Sequence, residues 1–387
     1  MRSPQFKNPL KSLNIIGPYK GHTGYDHHVR EFTRELVRQG VAVQLRDLTK
    51  WSTTKLAEDQ QDDWFDTLRR PVNAGVQLHF VMPPQVDIAS NKRNVNFTMF
   101  EADRIPADWL KHNFRHDLVI LPTESSRQAW LNSGYPKERI RLCRLGVNVA
   151  LFQRNVEPLP LEDERGRPVM DYGTRVLNIS ELTPRKNLVG LLRTWIQSTS
   201  KSDDAILIIK ANCLWRRWLF KFFFDVKLME KKIGKSRKDA APVLFLINRR
   251  FSDAEMPRLY ATASHYWSMS FGEGWDLCMM EAGAVGLDLI APAHSAYSTY
   301  LNPRIADMIP SRVVPAKFRW AHGLHKCFAG ANWWQPDERA AANHICQAIN
   351  NGGKMRNGAA RAHIAEHFTW QKATAQLIEI LSALNHA

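Results

Sequence analysis

The sequence predicts an α/β protein made of two successive doubly wound halves. Three observations predict it. Short apolar runs of strand length alternate with amphipathic stretches of helix length along most of the chain. That rhythm lapses over residues 153–173 (QRNVEPLPLEDERGRPVMDYG), which carry three prolines and no apolar periodicity, and then resumes. A chain of 387 residues with 44% hydrophobic side chains is long enough for two domains of ordinary size. Two α/β series fit this pattern better than one large sheet.

The first half opens with a strand over 13–16 and a loop from Gly17 to Gly24 (GPYKGHTG). A helix over 25–38 follows, with Val29, Phe32, Leu36 and Val37 on one side. Gly40 stands where a glycine ends a helix. A strand over 41–45 completes a β–loop–α–β unit, the arrangement that places ligands at strand carboxyl ends. The loop is not G-x-G-x-x-G, so the dinucleotide fingerprint is absent. Strands follow at 76–82, 95–100, 118–121 and 140–145, with a helix beginning near Thr123 before the last of them. The linker falls in 153–173. The domains are thus read as 1–160 and 161–370.

In the second half, strands are expected at 176–179, 205–210, 243–247, 266–269 and 289–292, with a helix over 188–197. Helices near 338–350, 356–367 and 371–384 finish the chain. No short-period repeat is visible. Residues 211–240 interrupt the rhythm as an insert rich in aromatic and basic side chains, among them Trp215, Trp218, Phe220, Phe224, Arg216, Arg217 and Lys227. Aromatics beside Lys and Arg suit a helix lying in an anionic membrane interface. An ordinary packed helix with a solvated basic tail, or a partner or nucleic-acid surface, reads the same residues differently. No RNA- or DNA-binding motif accompanies them, and no nucleic-acid partner is expected.

The formal net charge is +15 with a pI near 9.7. Such a field favours anionic partners without choosing among nucleotides, nucleic acid and lipid. Five scattered cysteines without a C-x-x-C fit reduced thiols rather than a disulfide framework or zinc site. The leading residues hold no signal-peptide core and no run is long enough to span a bilayer. The expected location is cytoplasmic, peripheral to the membrane face if 211–240 binds it. Sequons at Asn96 and Asn178 fall in apparent core strands and are read as coincidence. Asp62–Asp63 and Asp203–Asp204 are read as solvated pairs, not metal ligands.

The most informative stretch is 268–294 (SMSFGEGWDLCMMEAGAVGLDLIAPAH). An apolar strand runs into the turn Gly272-Glu273-Gly274, then a helix from about Asp276, then a second strand. Glu273 is placed where helix N-terminal amides are unpaired, a setting suited to an anion or a polyhydroxylated ligand. Glu281 lies one to two turns into the helix. Two carboxylates so separated can grip two parts of one elongated ligand, through strong charge-assisted hydrogen bonds. Earlier, Arg185 and Lys186 stand at another helix N-terminus. The dipole there disfavours cations, so the pair asks for an anion.

With its flanking strand and glycines, Glu273, seven residues and Glu281 resemble the E-x7-E signature of retaining glycosyltransferases of the GT4 type. The resemblance spans nearly the whole chain and is strongest over 176–300. It implies the GT-B fold, two Rossmann-like domains facing across an interdomain cleft. It also implies that the segment after Phe368-Thr-Trp370, residues 371–387, returns toward the first domain. Glu273 would contact the transferred sugar and Glu281 the ribose. Gly274, Trp275, Asp276 and Leu277 would hold sugar and diphosphate. Lys186 would bind the diphosphate, aided by Arg185. Where the family has a second cation, this chain has Ser180. Gly24, in the glycine loop, would approach the diphosphate or acceptor, beside His22, His27 and His28, which read as solvated or capping. The family often has a histidine near 97–103; here Glu101 is the candidate sugar or acceptor contact, or a cap. Arg249 would lie beside the base.

The implied activity is transfer of a hexosyl unit, mannosyl or glucosyl in type, from a nucleotide-diphosphate sugar to a hydroxyl acceptor with retention. The acceptor would be a glycan or a lipid-linked glycan. No cofactor and no metal are expected. The competing readings are another GT-B enzyme, such as a sugar-nucleotide epimerase, and a basic membrane- or nucleic-acid-binding protein on a degenerate scaffold.

Overall fold

The structure is a computed structural model that describes residues 10–48, 51, 55, 56, 58–213, 215–318, 323–354 and 358–385. The segment 1–9, on which the signal-peptide reading rests in part, lies outside them, as does residue 214 in the basic aromatic stretch. The chain divides into two compact units. One comprises Met1–Gly146, Gly323–Ala331 and Phe368–Ala387; the other comprises Val147–His322 and Asn332–His367.

The first unit holds β1 (Ser12–Gly17), β2 (Ala42–Asp47), β3 (Val76–Phe80), β4 (Arg93–Phe97), β5 (Leu118–Leu121) and β6 (Ile140–Leu142). Their spatial order is β2-β1-β3-β4-β5-β6, and every neighbouring pair is parallel. Parallel strands covered on both faces are apolar nearly throughout, which is why they were visible as runs. Asn96 in β4 is wholly buried and its amide donates to the carbonyls of His79 and Val81.

The helix Gly24–Arg38 begins with a capping box made by Thr23 and Asp26. It buries Val29, Phe32 and Leu36 on the sheet and ends at Gln39, with Gly40 at φ 86°. His28 departs from the expectation of a solvated or capping side chain. Its ring is buried against Phe80 and Phe97, and burial pushes its pKa down to about 3. Helical periodicity puts residue 28 beside Phe32 on the core-facing side, and a lone polar residue does not overrule its face.

The helix Trp370–Asn385 packs with this unit, Trp370 meeting Phe32 edge-on at 5.3 Å. Gly146 permits the approach: a Cβ there would lie 2.3 Å from the Trp370 amide nitrogen. Gly146→Ala is therefore expected to lower stability by about 1–3 kcal/mol, read as a fall in the thermal midpoint. An unchanged midpoint would show that this approach is not tight.

The second unit holds β7 (Thr174–Glu181), β8 (Ala205–Asn212), β9 (Val243–Ile247), β10 (His265–Trp267), β11 (Asp288–Pro292) and β12 (Asp307–Ile309). Their order is β12-β11-β10-β7-β8-β9, again parallel throughout. Read from the far edge, this is the 3-2-1-4-5-6 order of the dinucleotide-binding folds, with the reversal between β7 and β10. An antiparallel ribbon of β13 (Ser311–Pro315) and β14 (Asn332–Pro336) adjoins it. Neither β12 nor the ribbon was foreseen; both are short, and Arg312 and Asn332 break their apolar pattern.

Two expectations need correction. Residues 153–173 are not a free linker. Leu159, Leu161, Val169 and Tyr172 are buried, and the Leu159 amide donates to the Arg258 carbonyl. The stretch belongs to the second unit, whose boundary falls after Gly146 rather than near 160. Its few buried apolar residues sit between prolines, too sparsely to show a period. Residues 211–240 are not an insert either. Among them Ala211 and Asn212 end β8, and the β8–β9 crossover that follows holds a helix Arg216–Ile233 that buries Phe222, Val226 and Met229 against the Leu188–Ser198 helix. Exposed aromatics on its other side masked the amphipathic period.

Candidate active site

The loops after β7 and β10, at the topological switch point of the second sheet, carry Arg185, Lys186, Glu273 and Asp276. β7 runs into a strap whose 3-10 turn, Pro184–Lys186, precedes Asn187 in the left-handed conformation at φ 51°. Asn187 caps the Leu188–Ser198 helix by accepting from the Gly190 amide. Its own amide donates to the Met269 carbonyl at 3.0 Å, and the Phe271 N–H donates to the Arg185 carbonyl at 2.8 Å. The strap is thereby laced to the loop after β10.

That loop turns Glu273 into the interior, where only 4% of the residue is exposed. Its carboxylate lies 2.9 Å from Arg185 Nη1 and 2.7 Å from Lys186 Nζ. The Glu273 amide donates to Ser295 Oγ at 3.1 Å, and Arg185 also donates to the Gly272 carbonyl at 2.6 Å. Burial pushes the Glu273 carboxyl up, but the two cations outweigh it and hold the pKa down to about 2. Burial likewise disfavours the Lys186 ammonium, yet Glu273 and Asp276 more than compensate, so its pKa is raised and it stays charged. Asp276 moves upward, first by burial and further by the Glu273 charge, against the pull of Lys186.

The helix Leu277–Val285 starts one residue after Asp276, which sits at φ 63° and accepts from the Met279 amide. Glu273 is therefore not the group at that helix N-terminus, as the sequence suggested; Asp276 fills the cap. The anion that Arg185 and Lys186 asked for is supplied within the chain by Glu273. Local periodicity could not reveal this, because the partners are distant in sequence. Asp276 also accepts from Tyr297 Oη at 2.7 Å, and the Tyr297 and Ser268 hydroxyls are 2.7 Å apart. On the helix, Glu281 is 8% exposed and accepts from Tyr260 Oη at 2.7 Å.

The fold thus brings Arg185, Lys186, Glu273, Gly274 and Asp276 together at one end of the sheet. Trp275 is buried with its ring 5.3 Å from Tyr300, and Leu277 is half-buried as the first helical residue. Ser180 is the penultimate residue of β7, and its hydroxyl donates to Asn178 Oδ1 at 2.9 Å. Arg249 follows β9 on an exposed turn, with its guanidinium over the Phe251 ring at 5.2 Å. Gly24 and Glu101 belong to the first unit. Gly24 is the exposed first residue of its helix, and Glu101 lies half-buried after β4. The Tyr25 hydroxyl is raised by burial, and the Glu101 charge adds to that rise. Among the described residues, no group of His, Cys, Asp and Glu side chains could hold a metal ion.

Sequence reasoning missed Ser295, Tyr297 and His294, all after β11. His294 is buried against Trp334, its Nδ1 2.8 Å from Ser311 Oγ, and burial pushes its pKa down to about 3. A signal existed: His-Ser-Ala-Tyr follows an apolar strand directly, and strand carboxyl ends are where such folds bind ligands.

The chain matches no protein-family model and no curated protein. Solved structures do match. Anabaena HepE in complex with UDP and glucose superposes over 96% of this chain and 100% of its own, with a TM-score of 0.65 at 15% identity. The fold is GT-B. A sucrose-phosphate synthase from Thermosynechococcus elongatus matches this GT-B chain over 97% of it and 99% of its own length, with a TM-score of 0.67 at 15% identity. A glycosyltransferase from Rickettsia africae matches over 96% and 97%, with a TM-score of 0.63 at 14% identity.

Proposed function

We propose that this GT-B protein is a retaining glycosyltransferase of the GT4 type. It moves a hexosyl unit from a nucleotide-diphosphate sugar to a hydroxyl acceptor, a glycan or a lipid-linked glycan. The observation that carries the reading is the buried Arg185–Lys186–Glu273 cluster at the β7/β10 switch point. HepE, of the same fold, was solved with UDP and glucose, which supports a nucleotide-sugar ligand here.

In this reading Lys186 and Arg185 receive the diphosphate. Glu273, released from part of its pairing, turns to the sugar hydroxyls and supports positive charge growing on the ring. The bond from the anomeric carbon to the diphosphate oxygen breaks as the acceptor oxygen bonds to that carbon from the same face. The acceptor proton passes to the departing diphosphate oxygen, so no protein base is required. Cations held in a largely dry setting stabilise the charge that develops on the leaving group. The chain supplies that charge itself, and the reading needs no metal. Glu281 anchors the ribose, and Tyr260 holds its carboxylate in place.

The test is a panel of UDP-, GDP- and ADP-sugars, each with and without hydroxyl acceptors, followed by nucleoside-diphosphate release and by the anomeric configuration of the product. Acceptor-dependent release with retention is expected. Conversion of a donor to its epimer without an acceptor, or inversion, would overturn the proposal. Glu281→Ala is expected to weaken nucleotide binding roughly tenfold to a hundredfold, the loss of charge-assisted hydrogen bonds. Tyr260→Phe, which keeps the carboxylate, should weaken it far less. Equal nucleotide affinity in Glu281→Ala and wild type would remove Glu281 from the site.

A further inference from the structure

Seven large apolar side chains are exposed among the described residues, and four of them lie between 215 and 228. Apolar exposure is therefore concentrated on one element rather than scattered, the condition under which a patch signals binding. Phe220 is 65% exposed, Phe224 51%, Trp215 50% and Leu228 36%. Phe220, Phe224 and Leu228 are four residues apart on the Arg216–Ile233 helix and so form one stripe. The opposite face is committed to the core through Phe222, Val226 and Met229.

Charge surrounds this stripe. Helical spacing puts Arg216 and Lys227 along one edge, Lys221 and Lys232 along the other, and Arg217 and Lys231 between the aromatics. Between 215 and 238 the acids are Asp225 and Glu230, both half-buried, and Glu230 pairs with Arg237 at 3.0 Å. The exposed charge of the segment is thus entirely positive. Arg216 lies over Phe220 at 5.6 Å and Arg217 over Trp215 at 5.4 Å, so the cations extend along the rings they flank.

From this we infer that the outer face of the Arg216–Ile233 helix docks on an anionic lipid surface. Phe220, Phe224, Leu228 and Trp215 enter the headgroup–acyl boundary, while the lysines and arginines reach up to the phosphates. A helix anchored in the core on one side and apolar with a basic rim on the other lies flat in such an interface. Single-stranded nucleic acid fits less well, because it needs rings presented singly to stacked bases, not a continuous aliphatic and aromatic stripe. No helix among the described residues is long and apolar enough to cross a membrane, so this is surface docking. The same helix walls an open cavity of about 1040 Å³ whose other side includes Thr183, Pro184 and Asn187. Docking would therefore hold the strap that bears Arg185 and Lys186 near the lipid surface. The inference is independent of sugar transfer and is tested without it.

The experiment is co-sedimentation of the full chain with vesicles of phosphatidylcholine alone and of phosphatidylcholine mixed with phosphatidylglycerol. Binding is expected only to the anionic vesicles and should weaken with salt. Arg217→Gln/Lys227→Gln/Lys231→Gln should lower the partition coefficient about fivefold for each cation removed. Phe220→Ser/Phe224→Ser should lower it about tenfold or more. All five side chains are exposed, and circular dichroism should show both variants folded. Equal binding to neutral vesicles, or variants that bind as well as wild type, would overturn the inference. So would tighter binding to single-stranded RNA than to vesicles, or a dimer that Phe220→Ser/Phe224→Ser dissolves.

Discussion

Glu273→Gln is expected to abolish transfer, destabilise the second unit and yet tighten nucleoside-diphosphate binding. The carboxylate is the shared anion of two largely buried cations, Arg185 and Lys186, whose side chains are 15% and 14% exposed. Removing one partner of a buried ion pair leaves uncompensated charge at a cost of about 3–5 kcal/mol. For a unit of this size that lowers the thermal midpoint by roughly 10 °C. UDP brings a replacement anion, so it should stabilise the variant more than it stabilises wild type. Transfer should nonetheless fall by a factor of about a hundred or more, because the amide cannot support positive charge on the sugar ring. An unchanged midpoint, or a variant that transfers normally, would show that this cluster is neither the structural nor the catalytic centre.

The same carboxylate sets an acid limit. Its folded pKa, about 2, lies below the ordinary value of 4.5. Its stabilising contribution is therefore complete above pH 4.5 and is lost as pH falls from there toward 2. The loss is on the order of 3 kcal/mol, since each tenfold change in proton affinity is worth about 1.4 kcal/mol. Wild type and Glu273→Gln should accordingly converge in thermal midpoint across that window. Midpoints that stay equally far apart down to pH 2 would mean that the pairing does not hold the carboxyl down.

Lys186→Ala is expected to remove the diphosphate response. A nucleotide at a hundred times its dissociation constant stabilises a protein by about 2.7 kcal/mol, and that stabilisation should vanish in the variant. Turnover should fall by a factor of about a hundred to a thousand, the range seen when one preorganised donor to a developing charge is deleted. Glu273 keeps Arg185, so the fold survives, but its carboxyl loses one of two cations and its pKa should rise. Lys186→Arg keeps the charge and should recover part of the binding. A rise in thermal midpoint with UDP in Lys186→Ala equal to that of wild type would place the diphosphate elsewhere.

Much of this molecule was legible before its structure. The parallel strands were visible because strands buried on both faces must be apolar nearly throughout. The Gly24–Arg38 helix announced its face and end through Phe32 and Gly40, each a local signal, whereas its Thr23–Asp26 capping box went unread. What escaped was short or irregular: β12, the β13–β14 ribbon, and residues 153–173, whose buried Leu159 and Leu161 lie between prolines. The crossover helix Arg216–Ile233 was misjudged as an insert because it is apolar on both sides, packed on one and exposed on the other.

Local pattern alone indicated two doubly wound halves, and it placed Arg185, Lys186 and Glu273 in loops after strands with Glu281 on the helix that follows. Both follow from interactions within a few residues, where periodicity and caps operate. Long-range packing, by contrast, makes Glu273 the counter-ion of Arg185 and Lys186 and brings Ser295 and Tyr297 to the cluster. Those pairings join residues far apart in sequence. They come together because the order of the second sheet sets β7 beside β10, and β10 beside β11. A buried charge must find an opposite charge wherever the chain crossing brings one within reach, and no local pattern encodes which one that will be.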